Sequence, residues 1–309
     1  MIRKTLKIEV VYLFLCLMVM PGTLAFTNEP HVPSPTRSGT ILYVGGHGPG
    51  NYSTIQDAIN ASVDGDTVFV YQYSSPYKEN ILIEKSISLI GENLNTSLEP
   101  QDFNLTTMLI RHDSVKISSF NFPGSVFEDV KDIDVENASF VNISDCQMEI
   151  AYQGIVFNNV SNSTISYNFL DELAPISIIL SESNGNSIEH NTIYLYTDYS
   201  GIIIRNDSSK NLIFNNYISS WELPMYGILI GSGEGNEIYH NNLFCLVYSN
   251  TRSHWHGNYY VFQIVHLFPK IIPNYCSPKL IINIDWRPAI VCRRDAMPIN
   301  PIVGEGVGS

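Results

Sequence analysis

The sequence predicts an all-β, right-handed parallel β-helix, a solenoid of stacked coils with a short N-terminal capping helix and an irregular C-terminal cap. Three observations predict it. An Ile-x-x-Asn motif recurs as Ile165-Ser-Tyr-Asn168, Ile188-Glu-His-Asn191, Ile213-Phe-Asn-Asn216 and Ile238-Tyr-His-Asn241, its isoleucines 23, 25 and 25 residues apart. A second motif keeps step with it: Gly154-Ile-Val-Phe, Gly201-Ile-Ile-Ile and Gly227-Ile-Leu-Ile each precede the next Ile-x-x-Asn, with Ile176-Ser-Ile-Ile in the same place one coil along. The segments between carry Asn, Gly and Ser turns and no sustained helical periodicity, which removes the crossover helices of an α/β sheet.

A unit of two or three short strands cannot bury its apolar side alone. Stacking equivalent units closes a continuous core, each coil hydrogen-bonded in parallel to the next at about 4.8 Å. Asn168, Asn191, Asn216 and Asn241 then form a structural ladder, with Asn suited to the corner because it tolerates left-handed backbone and bonds locally. Upstream, Ile143-Ser-Asp-Cys146, Val130 to Val135, Val115 to Phe120 and Leu82 to Ile90 are weaker copies of the same alternation. The repeat interval predicts about nine coils over residues 41–250. Thr54 to Val63 supplies a capping helix, with Ile55, Ala58, Ile59 and Val63 on one face and Ser53 or Thr54 as N-cap. Residues 251–309, rich in Pro, Tyr and apolar side chains, are expected to fold over the last coil.

The N-terminus reads as an export signal over residues 1–26. Arg3, Lys4 and Lys7 precede an apolar run from Val10 to Met20, and Thr23-Leu24-Ala25 offers a cleavage site before Phe26. The run is short for a span, so a membrane is expected only through an uncleaved signal anchor. Residues 27–40, with Pro30, Pro33 and Pro35, form a linker. Sequons at Asn51, Asn60, Asn95, Asn104, Asn137, Asn142, Asn159, Asn162 and Asn206 fit export as glycosylation sites; corner preferences for Asn and Ser also raise their number.

A net charge of −13 and only 15% charged residues exclude nucleic acid, which needs clustered Lys and Arg. Four cysteines follow the signal. Cys146 and Cys245 lie four coils apart, about 19 Å, too far for a disulfide. Pairing of Cys276 with Cys292 would staple the terminal cap. None shows metal-ligand spacing, and no cofactor is expected.

The segment Gly48 to Asn60, followed by Asp64-Gly-Asp-Thr-Val68, resembles the N-terminal cap of secreted parallel β-helix proteins. Ser86 to Gly91, the Asn-bearing coils, Trp255 to Tyr260 and Ile284 to Ala289 resemble the NosD-like, pectin-lyase-like repeat proteins of archaeal type. The resemblance covers most of the chain after the linker and implies the fold. It leaves activity open, because β-helices host lyases, hydrolases and binding modules.

Candidate sites follow from the coil register. Asp171, Glu172, Asp198 and Glu222 fall in one loop row of three successive coils, a spacing that stacking itself supplies; they read as solvated loop acids first and as the two carboxylates of a polysaccharide hydrolase second. Tyr196, Tyr199, Trp221 and Tyr226 share that row, and aromatic faces beside carboxylates suit sugar rings. A polyuronate lyase is disfavoured, since Lys131, Arg205 and Lys210 are the basic residues between Ile117 and Thr251. His190 and His240 occupy one repeat position two coils apart, too far to share an ion, and His254 and His256 lack an evident third ligand. The leading expectation is therefore a non-catalytic exported or cell-surface protein presenting a polar and aromatic face to neutral polysaccharide or cell-surface components. A carbohydrate-active enzyme stands second, and a metal-handling or assembly factor of NosD type third.

Overall fold

The computed structural model describes residues 39–124, 127, 130–149, 152–172, 176–196, 200–220, 226–260, 270–272, 283–289 and 294–298. The expected signal segment and most of the linker lie outside them, as do Cys276 and Cys292. No helix among the described residues is long and apolar enough to cross a membrane.

The architecture is a right-handed parallel β-helix of about eight turns. Each regular coil visits three sheets in turn. In one such coil, Thr164–Ser166 lies in the first sheet, Phe169–Glu172 in the second and Ile176–Ser181 in the third; Ser187–Glu189 then starts the next coil. Among the described residues, the first sheet has 12 strands, the second 7 and the third 8. The eight turns stand close to the nine expected; the coil from Ser88 to Lys116 carries a longer excursion than the regular interval allows.

Register explains the repeat. Leu89, Ile117, Ile143, Ile165, Ile188, Ile213, Ile238 and Trp255 are consecutive partners in the first sheet. All but Trp255 are 0% exposed. Burying each such side chain contributes about 1.5–3 kcal/mol, so the column alone is a major part of the core. Val135, Phe157, Leu180, Ile204 and Ile230 do the same in the third sheet, and Met148, Leu170, Ile193, Ile218 and Leu243 in the second.

The capping helix spans Ile55–Ala61. Thr54 is its N-cap, its hydroxyl accepting from Asp57 N at 3.2 Å. Glu79 on the next coil adds a second cap, its carboxylate accepting from Ile55 N and Gln56 N at 2.8 and 2.9 Å. Val63, placed on the buried helical face by periodicity, is 45% exposed because the helix has already ended.

The regular pairing runs past Asn250. Ser253–His256 and Tyr259–Tyr260 pair in parallel with the coil beneath, so the solenoid reaches Tyr260 rather than ending at residue 250. Trp255 takes the isoleucine place, which hid this coil from a search for Ile-x-x-Asn.

The glycine motif also has a physical origin. The third-sheet registers align Thr107, Asp132, Gly154, Ser177, Gly201 and Gly227 in one axial column. A Cβ at Gly201 would lie 2.6 Å from Gly227 O and 3.3 Å from Cγ2 of Ile218, a core residue, so the column faces the interior. At Gly227 a Cβ would lie 1.9 Å from Cys245 Sγ. Ser177 fits in the same column because Gly201 above it has no side chain.

Candidate functional site

The corner between the first and second sheets sets the geometry of the outer surface. Asn168, Asn191, Asn216 and Asn241 point inward and are at most 1% exposed. Asn168 N and Nδ2 both donate to Asn191 Oδ1, at 3.0 and 3.1 Å, and each later pair repeats the pattern up to Asn258. Cys146 stands in the same place one coil earlier, its N–H donating to Asn168 Oδ1 at 3.0 Å.

The left-handed residue at this corner is the one before each ladder asparagine. Tyr167, His190, Asn215 and His240 have φ of 57°, 55°, 55° and 58°, while the ladder asparagines are absent from the positive-φ residues. That corrects the conformational reason given for Asn: its buried amide, not its backbone, is what the corner uses. A second ladder, Asn186–Asn211–Asn236, holds the opposite corner with the same geometry. It was missed in the sequence, although Asn stands two residues before Ile188, Ile213 and Ile238.

Two ring systems flank the first corner, and they differ in what they leave open. On the first sheet, Phe214 stacks on Tyr239 with centroids 4.9 Å apart and planes at 2°, and Tyr239 stacks on His256 at 4.9 Å and 5°. Tyr167 stacks likewise on His190 at 4.7 Å and 13°. Rings stacked face to face along the axis cover each other and present edges to solvent.

The second sheet carries a different arrangement. Phe169, Tyr194, Tyr217, Phe244 and Tyr259 form a continuous stripe with centroids 5.8, 6.0, 5.3 and 5.8 Å apart and interplanar angles of 65°, 66°, 37° and 51°. Each is half-buried. Tilted rings touch through edges and leave parts of their faces to solvent.

Polar groups border this stripe. Tyr196 donates its hydroxyl to Asp171 Oδ1 at 3.1 Å. Asp171 and Tyr194 are register partners on adjacent coils. Burial, and then the phenol of Tyr217 and the carboxylate of Asp171, raise the Tyr194 pKa; burial and then Asp171 raise that of Tyr196. Both phenols stay protonated at neutral pH and serve as hydroxyl donors.

Of the row predicted from sequence, the structure thus brings together Asp171 and Tyr196. Tyr226 lies on the third sheet, its ring 5.1 Å from Tyr248. Glu172 ends the strand Phe169–Glu172, and its side chain is outside the described residues. Asp198, Tyr199, Trp221 and Glu222 lie outside them too. Asp171 is the one carboxylate of that row among the described side chains.

Among the sequons, Asn60, Asn104, Asn137, Asn159, Asn162 and Asn206 are exposed, and Asn51, Asn95 and Asn142 are half-buried. Asn137, Asn159, Asn162 and Asn206 have φ of 54°, 54°, 50° and 51°. Part of the sequon excess is therefore the demand of left-handed corners.

The profile of the family described as "Periplasmic copper-binding protein (NosD)" matches residues 59–260. The chain belongs to the NosD family. The family is periplasmic, which makes this NosD-family chain an exported β-helix protein. Among solved structures, it is similar to a pectin methylesterase in complex with a hexasaccharide, at 11% identity and TM-score 0.46, over 72% of this chain and 90% of that one. It is also similar to the pectin methylesterase from Aspergillus niger, at 15% identity and TM-score 0.38, over 72% and 85%. No curated protein sequence matches significantly.

The family description raises copper, and the described residues do not fit it. None of them form a group of three His, Cys, Asp or Glu able to hold a metal ion. His190 Nε2 is 3.2 Å from the Asn215 amide nitrogen. The rings of His240 and His256 are 5.8 Å apart at 84°, and the described residues place no third His, Cys, Asp or Glu with them. Cys146 and Cys245 are buried, and burial pushes both thiols up to about 12, far from the thiolate a soft metal requires.

Proposed function

We propose that this NosD-family protein is a non-catalytic glycan-binding solenoid, and that a neutral polysaccharide lies along the second-sheet stripe Phe169–Tyr194–Tyr217–Phe244–Tyr259. The observation carrying the reading is the tilt of these rings, which leaves aromatic surface on five successive coils for the apolar C–H face of a sugar. The coil rise of about 4.8 Å is of the order of one pyranose unit, so a chain aligned with the axis meets a ring at each step. Tyr196 and Asp171 supply a donor and an acceptor at the border, the groups sugar hydroxyls require.

Charge favours a neutral ligand. The chain carries a net −13, and a polyuronate would be repelled over most of the surface. Exposure outside the cytoplasm gives such a surface access to cell-envelope or environmental polysaccharide.

The test is affinity electrophoresis and calorimetry with neutral glucan and mannan oligosaccharides beside polygalacturonate. Retention by a neutral glycan and at least a tenfold loss in Tyr217→Ala and Phe244→Ala are expected, each removing a stacking contact of about 1–1.5 kcal/mol plus buried area. Unchanged retention in both variants, or preference for polygalacturonate, would sink the reading.

A further inference from the structure

The first-sheet ring column ends in an open place. Phe214, Tyr239 and His256 are successive register partners and their rings stack in parallel at 4.9 Å. The next strand, Asn283–Asp285, continues the register by pairing Trp255 with Asp285, which puts Trp286 in the column place after His256. Trp286 nevertheless stands 70% exposed, and among the described residues no ring contact joins it to His256. A cleft of about 680 Å³ opens there, lined by Arg252, His254, His256 and Trp286.

The lining carries the guanidinium of Arg252 in a chain that is acidic overall. Among the described residues, no carboxylate lines the cleft. Arg252 and His254 are exposed, and no described carboxylate forms an ion pair with Arg252. Glu237 is the register neighbour of His254 one coil below, outside the lining. Asn283 is committed to the backbone, accepting from Ser253 N at 2.8 Å and donating to Thr251 O at 2.9 Å.

We propose that this cleft binds a planar ring bearing an anionic group, an aromatic carboxylate, whose ring takes the next place in the column above His256. One face of the ring rests on His256, whose other face is covered by Tyr239, and Trp286 closes over the opposite face. Arg252 receives the carboxylate through its planar fork of donors, the geometry that suits carboxylates, with His254 beside it. Two flat walls favour a flat ring over a puckered sugar. The cleft is at the end of the first sheet, apart from the second-sheet stripe, so its test is independent of the glycan reading.

The experiment is isothermal titration of the full exported chain with 2-naphthoate, 2-naphthamide and galacturonate. Saturable binding of naphthoate, about tenfold tighter than the neutral amide, is expected from a charge-assisted contact. Trp286→Ala should lose both naphthyl ligands while keeping the wild-type circular dichroism, because the side chain is largely exposed. Arg252→Gln should remove the preference for naphthoate and leave naphthamide binding unchanged. No binding, equal affinity for the two naphthyl ligands in the wild type, unchanged binding in Trp286→Ala, or galacturonate binding more tightly than naphthoate would each overturn the proposal.

Discussion

The carboxylate of Asp285 occupies the place of the next ladder amide above Asn258, its Oδ2 accepting both the backbone and the side-chain N–H of that residue at 3.1 Å. The same carboxylate takes the Tyr260 hydroxyl at 3.1 Å and the N–H groups of Gly257 and Arg287, both at 3.1 Å. It is 0% exposed. An amide ladder leaves its last donors unsatisfied, and an acceptor-only group ends it without creating a new donor to satisfy.

Asp285→Ala should therefore destabilise the last coils by about 3–5 kcal/mol, since it strands several buried donors. Asp285→Asn should cost less, because one acceptor oxygen remains. Hydrogen exchange of the Asn241–Tyr260 segment checks this, since a solenoid opens coil by coil. Equal protection in Asp285→Ala and wild type would refute it.

Asp132 gives a pH signature. It is 1% exposed, its Oδ2 has no partner, and burial raises its pKa well above the ordinary 3.8. Above that value the unfolded carboxyl loses its proton while the folded one keeps it. Its contribution to stability is thus full at low pH and falls as pH rises toward the folded pKa. Asp132→Asn should be more stable than wild type at pH 8, by about 1–3 kcal/mol, with the gap closing toward pH 3. Urea unfolding at the two pH values measures it, and a gap that widens on acidification would contradict the assignment.

Gly227 and Cys245 should be coupled, because a Cβ on the first would lie 1.9 Å from the thiol of the second. Gly227→Ala should cost about 1–3 kcal/mol through overpacking. Adding Cys245→Ala should recover part of it, and additive effects in the double-mutant cycle would show that the two do not meet.

Both buried thiols, held up to about 12 by burial, should resist iodoacetamide at pH 8 in the native protein and react after unfolding. Peptide mapping of the native labelling reaction checks Cys146 and Cys245 individually; native modification of either would show that its coil opens readily.

The aromatic stripe was hidden from a search at one fixed offset. Phe169, Tyr217 and Tyr259 fall four residues after Ile165, Ile213 and Trp255, whereas Tyr194 and Phe244 fall six after Ile188 and Ile238. The stripe zigzags between two columns with a period of two coils, so a scan for one aromatic at one place per coil passes over it. Alternation at the fourth and sixth places was the available signal.

By itself, the amino-acid sequence determined the coil: an inward isoleucine and a buried asparagine at a near-constant interval can be satisfied together only by stacking equivalent units in parallel. Sequence spacing also separated Cys146 from Cys245. The tertiary structure alone decided which rings cover each other and which stay open. Ring tilt depends on the side chains of the coils above and below, some two dozen residues away in sequence, and no local pattern records it. The same holds for Asp285, whose role exists only because a strand beyond Tyr260 returns to pair with Trp255. The parallel β-helix was legible from the repeat; the aromatic stripe proposed to bind a glycan was not.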